Sequence, residues 1–370
     1  MKTRICEMFG IDLPIFAFSH CRDVVAEVSK AGGFGVLGAL YFTPEELEQE
    51  LAWIDDHVGD RPYGVDVVMP ASYAGAGNLD PATMNAKLAE MIPQGHRDYI
   101  DSVMSKYNVP ELPADEKPRD LLGWTEESAR PQVEVAMSHP IGLLVNALGP
   151  PPTDIVDLAH EKGIKVAALV GRTDQAVKQV EQGVDIIVAQ GYEAGGHTGE
   201  IASMVLTPEI VDAIAPVPVL SAGGIGTGRQ MAAALALGAD GVWTGSIWLT
   251  TTESDMTPMM IEKLLAARSN ETVRSRSLTG KPARQLKTAW TEAWDGPESP
   301  GTLPMPLQFM ATSEAYHRIN KFQVPELVGA PVGQIVGRMN SRKPVKEVIY
   351  ELVDEFVEAS EKLSRLTEEG

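Results

Sequence analysis

Residues 217–246 read VPVLSAGGIGTGRQMAAALALGADGVWTGS, and this stretch decides the fold. An apolar run at 217–222 leads into a glycine-rich turn and then into a helical pattern, and a second apolar run begins at Gly241. A strand, a crossover helix and a further strand form the repeating unit of a parallel sheet. We therefore predict a parallel α/β protein with glycine turns at the carboxyl ends of its strands.

The same alternation extends over most of the chain. Eight runs have the length and residue types of strands, and most are apolar throughout, as expected for strands covered on both faces. Helical patterns lie between them; Thr43 and Pro44 are suited to start one of these helices, and Thr207-Pro208 another. Eight such strands are the count of the (β/α)8 or TIM barrel. The predicted strands are 15–19, 34–40, 63–69, 141–148, 165–170, 186–190, 217–222 and 241–246.

Composition limits the class of protein. The formal net charge of −20 repels nucleic acid and anionic membranes, so neither is a predicted partner. Cys6 and Cys21 form neither a metal-ligand pattern nor a disulfide framework, which predicts no metal site and a reducing environment. No stretch approaches the ~20 apolar residues of a membrane span, and residues 1–18 lack the apolar run of a signal peptide. A cytoplasmic protein is therefore expected.

Two segments interrupt the alternation, at about 70–128 after the third strand and about 270–329 after the eighth. In a barrel the carboxyl ends of these strands share the active-site face. We therefore predict one domain spanning 1–370, in which two helical insertions form a lid or a substrate wall. An elaborated surface, or a contact between copies in a homo-oligomer, fits these segments equally well.

The loop after the sixth strand carries the most informative chemistry. Residues 189–199 read AQGYEAGGHTG, and the bare backbone of the glycines lets a planar ring lie close. The unperturbed pKa of a histidine lies near neutrality, so His197 in this loop is suited to act as an acid or a base. A lone histidine is usually structural, but the flanking glycines and the strand end favour a catalytic role here.

Glycine turns after the seventh and eighth strands predict a phosphate site. Backbone N–H groups at the start of a helix attract phosphate, and barrels often bind it between these two loops. The alternative is a pair of tight turns, but two glycine loops at adjacent strand ends favour a phosphate. The spacing of Gly223, Gly226 and Gly228 is not the Rossmann order, and six strands precede it.

At this point the chain resembles a known family. Residues 190–199 resemble the Gln-Gly-x-Glu-Ala-Gly-Gly-His-x-Gly signature of nitronate monooxygenases, formerly 2-nitropropane dioxygenases, and 222–225 and 238–246 are similar to their FMN-phosphate segments. The resemblance implies an FMN-dependent TIM-barrel oxidoreductase with His197 as its catalytic histidine. It implies flavin or phosphate contacts for Asp66, Gln190, Gly195, Gly196, Gly223, Gly224, Trp243, Thr244, Gly245 and Ser246.

Two positions depart from the family's pattern. Asp66 stands where the family usually has a flavin-contacting asparagine, and a carboxylate there would oppose a reduced, anionic flavin unless it is protonated or turned away. Residues 17–20, Ala-Phe-Ser-His, replace a Pro-Met-Ala-Gly segment. His20 is therefore a candidate substrate-binding group, and a structural role fits it equally well.

The resemblance implies oxidation of alkyl nitronates with O2 through FMN. His197 would deprotonate a neutral nitroalkane or orient the preformed anion. The alternative is an NAD(P)H-dependent flavin reductase that acts on quinones or enoyl thioesters, because the same signature occurs in such enzymes. A basic wall would suit a CoA thioester, although a solvated face also explains it; its candidates are Arg268, Arg274, Arg276, Lys281 and Arg284. A non-enzymatic flavin-binding barrel would need no titratable His197.

Overall fold

The chain folds into a closed barrel of eight parallel strands surrounded by helices, which confirms the predicted TIM barrel. The structure, a computed structural model, describes residues 1–69, 81–116 and 126–368. In chain order its strands are β1 (Ile15–Ser19), β2 (Phe34–Gly38), β3 (Tyr63–Val67), β4 (Leu143–Asn146), β5 (Lys165–Val170), β6 (Ile186–Gln190), β7 (Gly196–His197), β8 (Val219–Ala222), β9 (Gly241–Thr244), β10 (Thr272–Ser275) and β11 (Ala283–Leu286). β7, β10 and β11 form a separate sheet, and the other strands close the barrel where β9 pairs with β1.

The helices fill the crossovers and the two insertions. In chain order they are α1 (Arg4–Phe9), α2 (Arg22–Lys30), α3 (Pro44–Val58), α4 (Pro81–Glu90), α5 (Gln94–Lys106), α6 (Glu126–Ala136), α7 (Thr153–Glu161), α8 (Thr173–Glu181), α9 (Ser203–Ile214), α10 (Gly228–Ala236), α11 (Pro258–Ala266), α12 (Ala289–Asp295), α13 (Leu307–Lys321) and α14 (Val345–Glu368). Helix α3 begins as predicted: Thr43 and Glu46 form a capping box, and Pro44 occupies the first turn. No helix in the described parts of the chain is both long enough and apolar enough to span a membrane.

The predicted start of a helix at Thr207-Pro208 is wrong. Helix α9 begins at Ser203 and contains Pro208. Leu206 is fully buried, and the Thr207 hydroxyl lies 2.8 Å from Ser221 Oγ on β8, so packing against the barrel holds the turn before the proline in a helix. Tertiary contacts therefore outweigh the local preference of Pro208 for a first turn.

Aromatic and branched side chains fill the barrel interior. Phe16 and Phe34 stack with their ring centroids 4.8 Å apart, and Trp243 belongs to the same cluster. Helix α1 packs Ile5 against the cluster and joins the amino-terminal end of the barrel, where Arg4 bridges to Asp240 just before β9. Because the interior and this end are filled, a ligand site belongs at the carboxyl ends of the strands.

The two insertions pack on each other. Helices α4 and α5 follow β3, α12 and α13 follow β9, and α13 packs against both α4 and α5. Arg318 on α13 donates to the carbonyls of Val109 and Pro110 at 2.9 and 2.8 Å, and the Tyr99 hydroxyl donates to Ala293 O at 2.6 Å. Of the first predicted insertion, residues 70–80 and 117–125 lie outside the described residues.

Candidate active site

The loop between β6 and β7 owes much of its glycine content to its own packing. A Cβ on Gly195 would lie 2.8 Å from Gly333 N, and one on Gly191 would lie 2.6 Å from Ser203 N. Gly196 differs, because its φ of +73° is left-handed and a Cβ there would meet nothing within 4 Å. Gly191 and Gly195 therefore lack a side chain because other backbone segments lie close to them. Gly196 instead borders open space that can admit a ring.

His197 is held by the second insertion. Its strand β7 pairs with β11, where His197 is opposite Ala283, and its Nε2 lies 2.7 Å from Thr279 Oγ1. Thr279 is 1% exposed, so this hydroxyl is shielded from water. Nothing in the local sequence marks Thr279 as a partner of His197, because 82 residues separate the two.

The surroundings of His197 keep its imidazole neutral. Burial and the nearby positive charge of Lys281 lower the pKa of His197 to about 4. At neutral pH the ring is therefore an uncharged hydrogen-bonding group and a weak base. Thr279 matches this state, because its hydroxyl can either donate to or accept from an imidazole nitrogen.

Arginines of the second insertion contact the loop that carries His197. Tyr192 lies under the guanidinium groups of Arg284 and Arg274, which are 4.6 and 5.4 Å from the ring centroid. Arg284 Nε also donates to Tyr192 O at 3.1 Å, and Arg284 is 2% exposed. The predicted basic wall is therefore not a uniform solvated face. Arg274 and Arg276 line a cavity of about 430 Å³ that also contains the acidic residues Glu200 and Asp295.

The turn after β8 has the backbone form expected of a phosphate loop. Gly223 and Gly224 have φ of +107° and +68°, and Gln230 secures the turn by accepting from Gly226 N and donating to Gly224 O. A cavity of about 580 Å³ borders both glycines, and Arg338 lines it. A phosphate group fits here, because the backbone is bare, helix α10 begins beside it, and the cavity is lined by the cation Arg338.

The residues after β9 fall into two groups. Trp243 lies in the barrel interior and Thr244 Oγ1 donates to Phe16 O, so both side chains are part of the core. Gly245 has space around it, since a Cβ would approach no atom closer than Phe18 at 3.9 Å, and Ser246 Oγ accepts from Gly333 N. The side chains of Trp243 and Thr244 are therefore largely buried, and their backbone is the part most readily available to a ligand.

Asp66 is a buried carboxyl without a full set of partners. It alternates with Val65 and Val67, which face the helices, so its side chain faces the barrel interior. Asp66 is 3% exposed, and its Oδ1 has no hydrogen-bond partner among the described residues. Burial raises the pKa of Asp66 well above its usual value, and a backbone N–H from Ala147 offsets only part of that effect. A carboxyl whose protonated form is favoured by burial, and whose Oδ1 has no partner among the described residues, fits the polar edge of a flavin ring.

His20 and Gln190 are the remaining residues that the sequence predicts for the site. His20 Nδ1 lies 2.8 Å from Gly38 O, so Nδ1 carries the proton when the ring is neutral, and burial lowers the pKa of His20. Its ring packs against Tyr41, with centroids 4.8 Å apart. Gln190 ends β6, and its Nε2 is 3.5 Å from Gly195 O, a long contact that leaves the amide able to serve a ligand.

Comparisons with known proteins agree with this geometry. The nitronate monooxygenase family model matches residues 2–355. The chain is 49% identical, over the full length of both, to the putative monooxygenase Rv1533 of Mycobacterium tuberculosis, and 28% identical to a probable nitronate monooxygenase of Staphylococcus saprophyticus, covering 78% of this chain and 79% of the relative. A solved nitroalkane oxidase from Streptomyces ansochromogenes superimposes with a TM-score of 0.80 at 25% identity, covering 97% of this chain and 99% of the other.

Fold and site together define a class, that of flavin-dependent oxidoreductases built on a TIM barrel. Within that class, the chain belongs to the nitronate monooxygenase family.

The phosphate loop can be tested with a charge at Gly224. We expect Gly224→Asp to weaken FMN binding at least about tenfold relative to Gly224→Asn, because the added carboxylate faces a phosphate. Both variants place a side chain of similar size at the left-handed backbone, but the aspartate carboxylate also lies beside Glu193, so Gly224→Asp should be somewhat less stable than Gly224→Asn. Fluorescence titration of FMN and urea unfolding measure the two effects. Equal FMN affinities in the two folded variants would contradict the proposed phosphate site.

The protonation of Asp66 can be tested through stability. Because its folded pKa is raised, the wild type loses stability relative to Asp66→Asn as pH rises above about 4, the unfolded value. Urea unfolding of the FMN-free proteins between pH 5 and pH 8 should show a difference that grows by up to about 1.4 kcal/mol per pH unit. Asp212→Asn, an exposed position on α9, controls for the loss of one charge. A pH-independent difference for Asp66→Asn would show that the buried carboxyl ionises normally.

Proposed function

We propose that this chain is an FMN-dependent nitronate monooxygenase that oxidises small alkyl nitronates with O2. The observation that carries the proposal is the placement of His197, the histidine of the family signature, which lies at the barrel mouth as a neutral ring bonded to Thr279. The glycine turns and the unsatisfied oxygen of Asp66 support a flavin at the same mouth. FMN, when bound, supplies the redox chemistry that amino-acid side chains lack.

The residues proposed to hold FMN form two groups, one for the phosphate and one for the flavin ring. The backbone at Gly223, Gly224, Gly245 and Ser246 would bind the phosphate, with Trp243 and Thr244 contributing main-chain atoms. Gln190, Gly195, Gly196 and Asp66 would lie along the ring. A protonated Asp66 can donate a hydrogen bond, as an asparagine amide does, so it need not oppose a reduced flavin.

The role proposed for His197 follows from its low pKa. A base with a pKa of about 4 accepts a proton from a carbon acid poorly at neutral pH, and the imidazolium formed would face the positive charge of Lys281. A neutral imidazole can still donate a hydrogen bond that holds a nitronate oxygen. We therefore infer that His197 orients the preformed anion, and that removal of a proton from a neutral nitroalkane is its weaker activity. His20 is proposed to contact the substrate from the β1 side.

The reductase function remains the second candidate. The observation that favours it is the cavity beside the His197 sheet, where Arg274 and Arg276 could meet the phosphates of a nicotinamide cofactor or a thioester carrier. Anaerobic stopped-flow mixing with NADH, NADPH and propionate 3-nitronate separates the two candidates. The proposed monooxygenase predicts rapid flavin reduction by the nitronate and slow reduction by both nicotinamides; the reverse order would replace it with the reductase.

His197→Asn tests the proposed role directly. We expect the purified variant to be yellow, with about one FMN per chain like the wild type, because the side chain is not needed for phosphate binding. Turnover should fall about 10²-fold or more on a neutral nitroalkane and less on its nitronate, since only the first requires a proton transfer. Oxygen-consumption assays with a nitroalkane and with its nitronate measure both rates, and His57→Asn, at an exposed position of α3, is the control. Near-wild-type rates on both substrates would mean that His197 is structural, and a protein that cannot bind FMN would overturn the whole proposal.

A further inference from the structure

Lys281 is a positive charge beside His197 that no carboxylate of the described residues neutralises. It follows Thr279, the hydrogen-bond partner of His197, by two residues, and its charge acts on the imidazole. Within the described residues, no Asp or Glu oxygen lies within ion-pair distance of the Lys281 ammonium. The side chain is half-buried, and burial lowers the pKa of Lys281. A partly desolvated ammonium without a counter-charge is suited to bind an anion.

Each neighbouring arginine already has a protein acceptor, although Arg274 Nε and Arg284 Nη2 are buried without a hydrogen-bond partner among the described residues. Arg284 donates to Tyr192 O and to Thr272 Oγ1, Arg274 donates to Thr198 O and faces Glu200, and Arg276 donates to Gly280 O. These contacts build the sheet and the turn that surround the histidine. Of the basic side chains described in this turn and hairpin, Lys281 is the one whose ammonium has no protein acceptor in the structure.

The backbone of the turn that carries Lys281 is fixed close to His197. Gly280 has a φ of +81°, and a Cβ there would lie 2.1 Å from Leu303 O, so the turn is pressed against the following segment. Lys281 N donates to Thr279 Oγ1 at 3.3 Å. At its other end, β11 pairs Ala283 with His197. The backbone of Lys281 is thus tied to the imidazole from both sides.

We propose that Lys281 is the residue that selects an anionic substrate, by pairing its ammonium with the negative charge while His197 contacts the reacting group. The inference rests on the proposed function, because His197 identifies the reacting end of the site. The net charge of −20 gives a local cation more weight, since the average surface repels a small organic anion. The substrate class is therefore a small anion, such as a nitronate, and a neutral nitroalkane or quinone would gain nothing from Lys281.

The test compares Lys281→Met and Lys281→Arg in the FMN-loaded enzyme. Lys287→Met is the matched control, because it removes an exposed lysine of the same segment that pairs with Glu292. For Lys281→Met we expect KM for propionate 3-nitronate to rise about tenfold or more, the equivalent of about 1.4 kcal/mol. KM for 2-nitropropane should change less than about twofold, and Lys281→Arg should restore most of the affinity for the anion because it keeps the charge.

A second readout needs no turnover. Sodium nitrite serves as an inert anion, and its dissociation constant is measured from the perturbation of the flavin absorbance in the oxidised enzyme. Lys281→Met should weaken nitrite binding by a similar factor, and Lys287→Met should not. Unchanged nitrite and nitronate affinities in a folded, FMN-loaded Lys281→Met would overturn the inference, as would a wild type that does not bind nitrite. A wild type that binds nitrite through Lys281 but fails to oxidise nitronates would instead overturn the proposed function.

Discussion

The pairing of two short strands, β7 and β11, is the contact on which the site depends. It joins the loop after the sixth barrel strand to the insertion after the eighth, and it brings His197 to Thr279 and Lys281. Without this pairing His197 would stand in a glycine-rich loop with few restraints on its ring. The second insertion is thus part of the candidate active site, and its contacts with α4 and α5 extend that support to the first insertion.

Low polarity at the barrel mouth sets the charge state of the site. Burial favours the uncharged forms of both His197 and Asp66, since it removes the water that would stabilise their charged forms. Asp66 differs chemically from the family's usual asparagine less than the sequence suggests, because a protonated carboxyl and an amide can both donate a hydrogen bond. Lys281 then carries the charge that distinguishes an anionic from a neutral substrate.

Local patterns predicted the fold well, and they failed where distant residues take part. The strands β1, β5 and β6 have their predicted bounds, because short apolar runs bounded by glycine or polar residues have few alternative structures. The predicted start of α9 at Thr207-Pro208 was wrong, because packing on Ser221 extends the helix past the proline. Local sequence also did not show why Gly191 and Gly195 lack a side chain, because the backbone atoms that approach them belong to the distant residues Ser203 and Gly333.

The sequence by itself determined the barrel, the histidine loop and the glycine turns after β8 and β9, since each depends on residues that are neighbours along the chain. Tertiary structure alone decided which groups surround His197, because Thr279 and Lys281 reach it through strand pairing across more than 80 residues. It also placed the side chains of Trp243 and Thr244 in the core, and it left Asp66 Oδ1 without a hydrogen-bond partner in the described parts of the chain. Burial and long-range pairing arise only when the barrel closes, so no periodicity in the sequence encodes them.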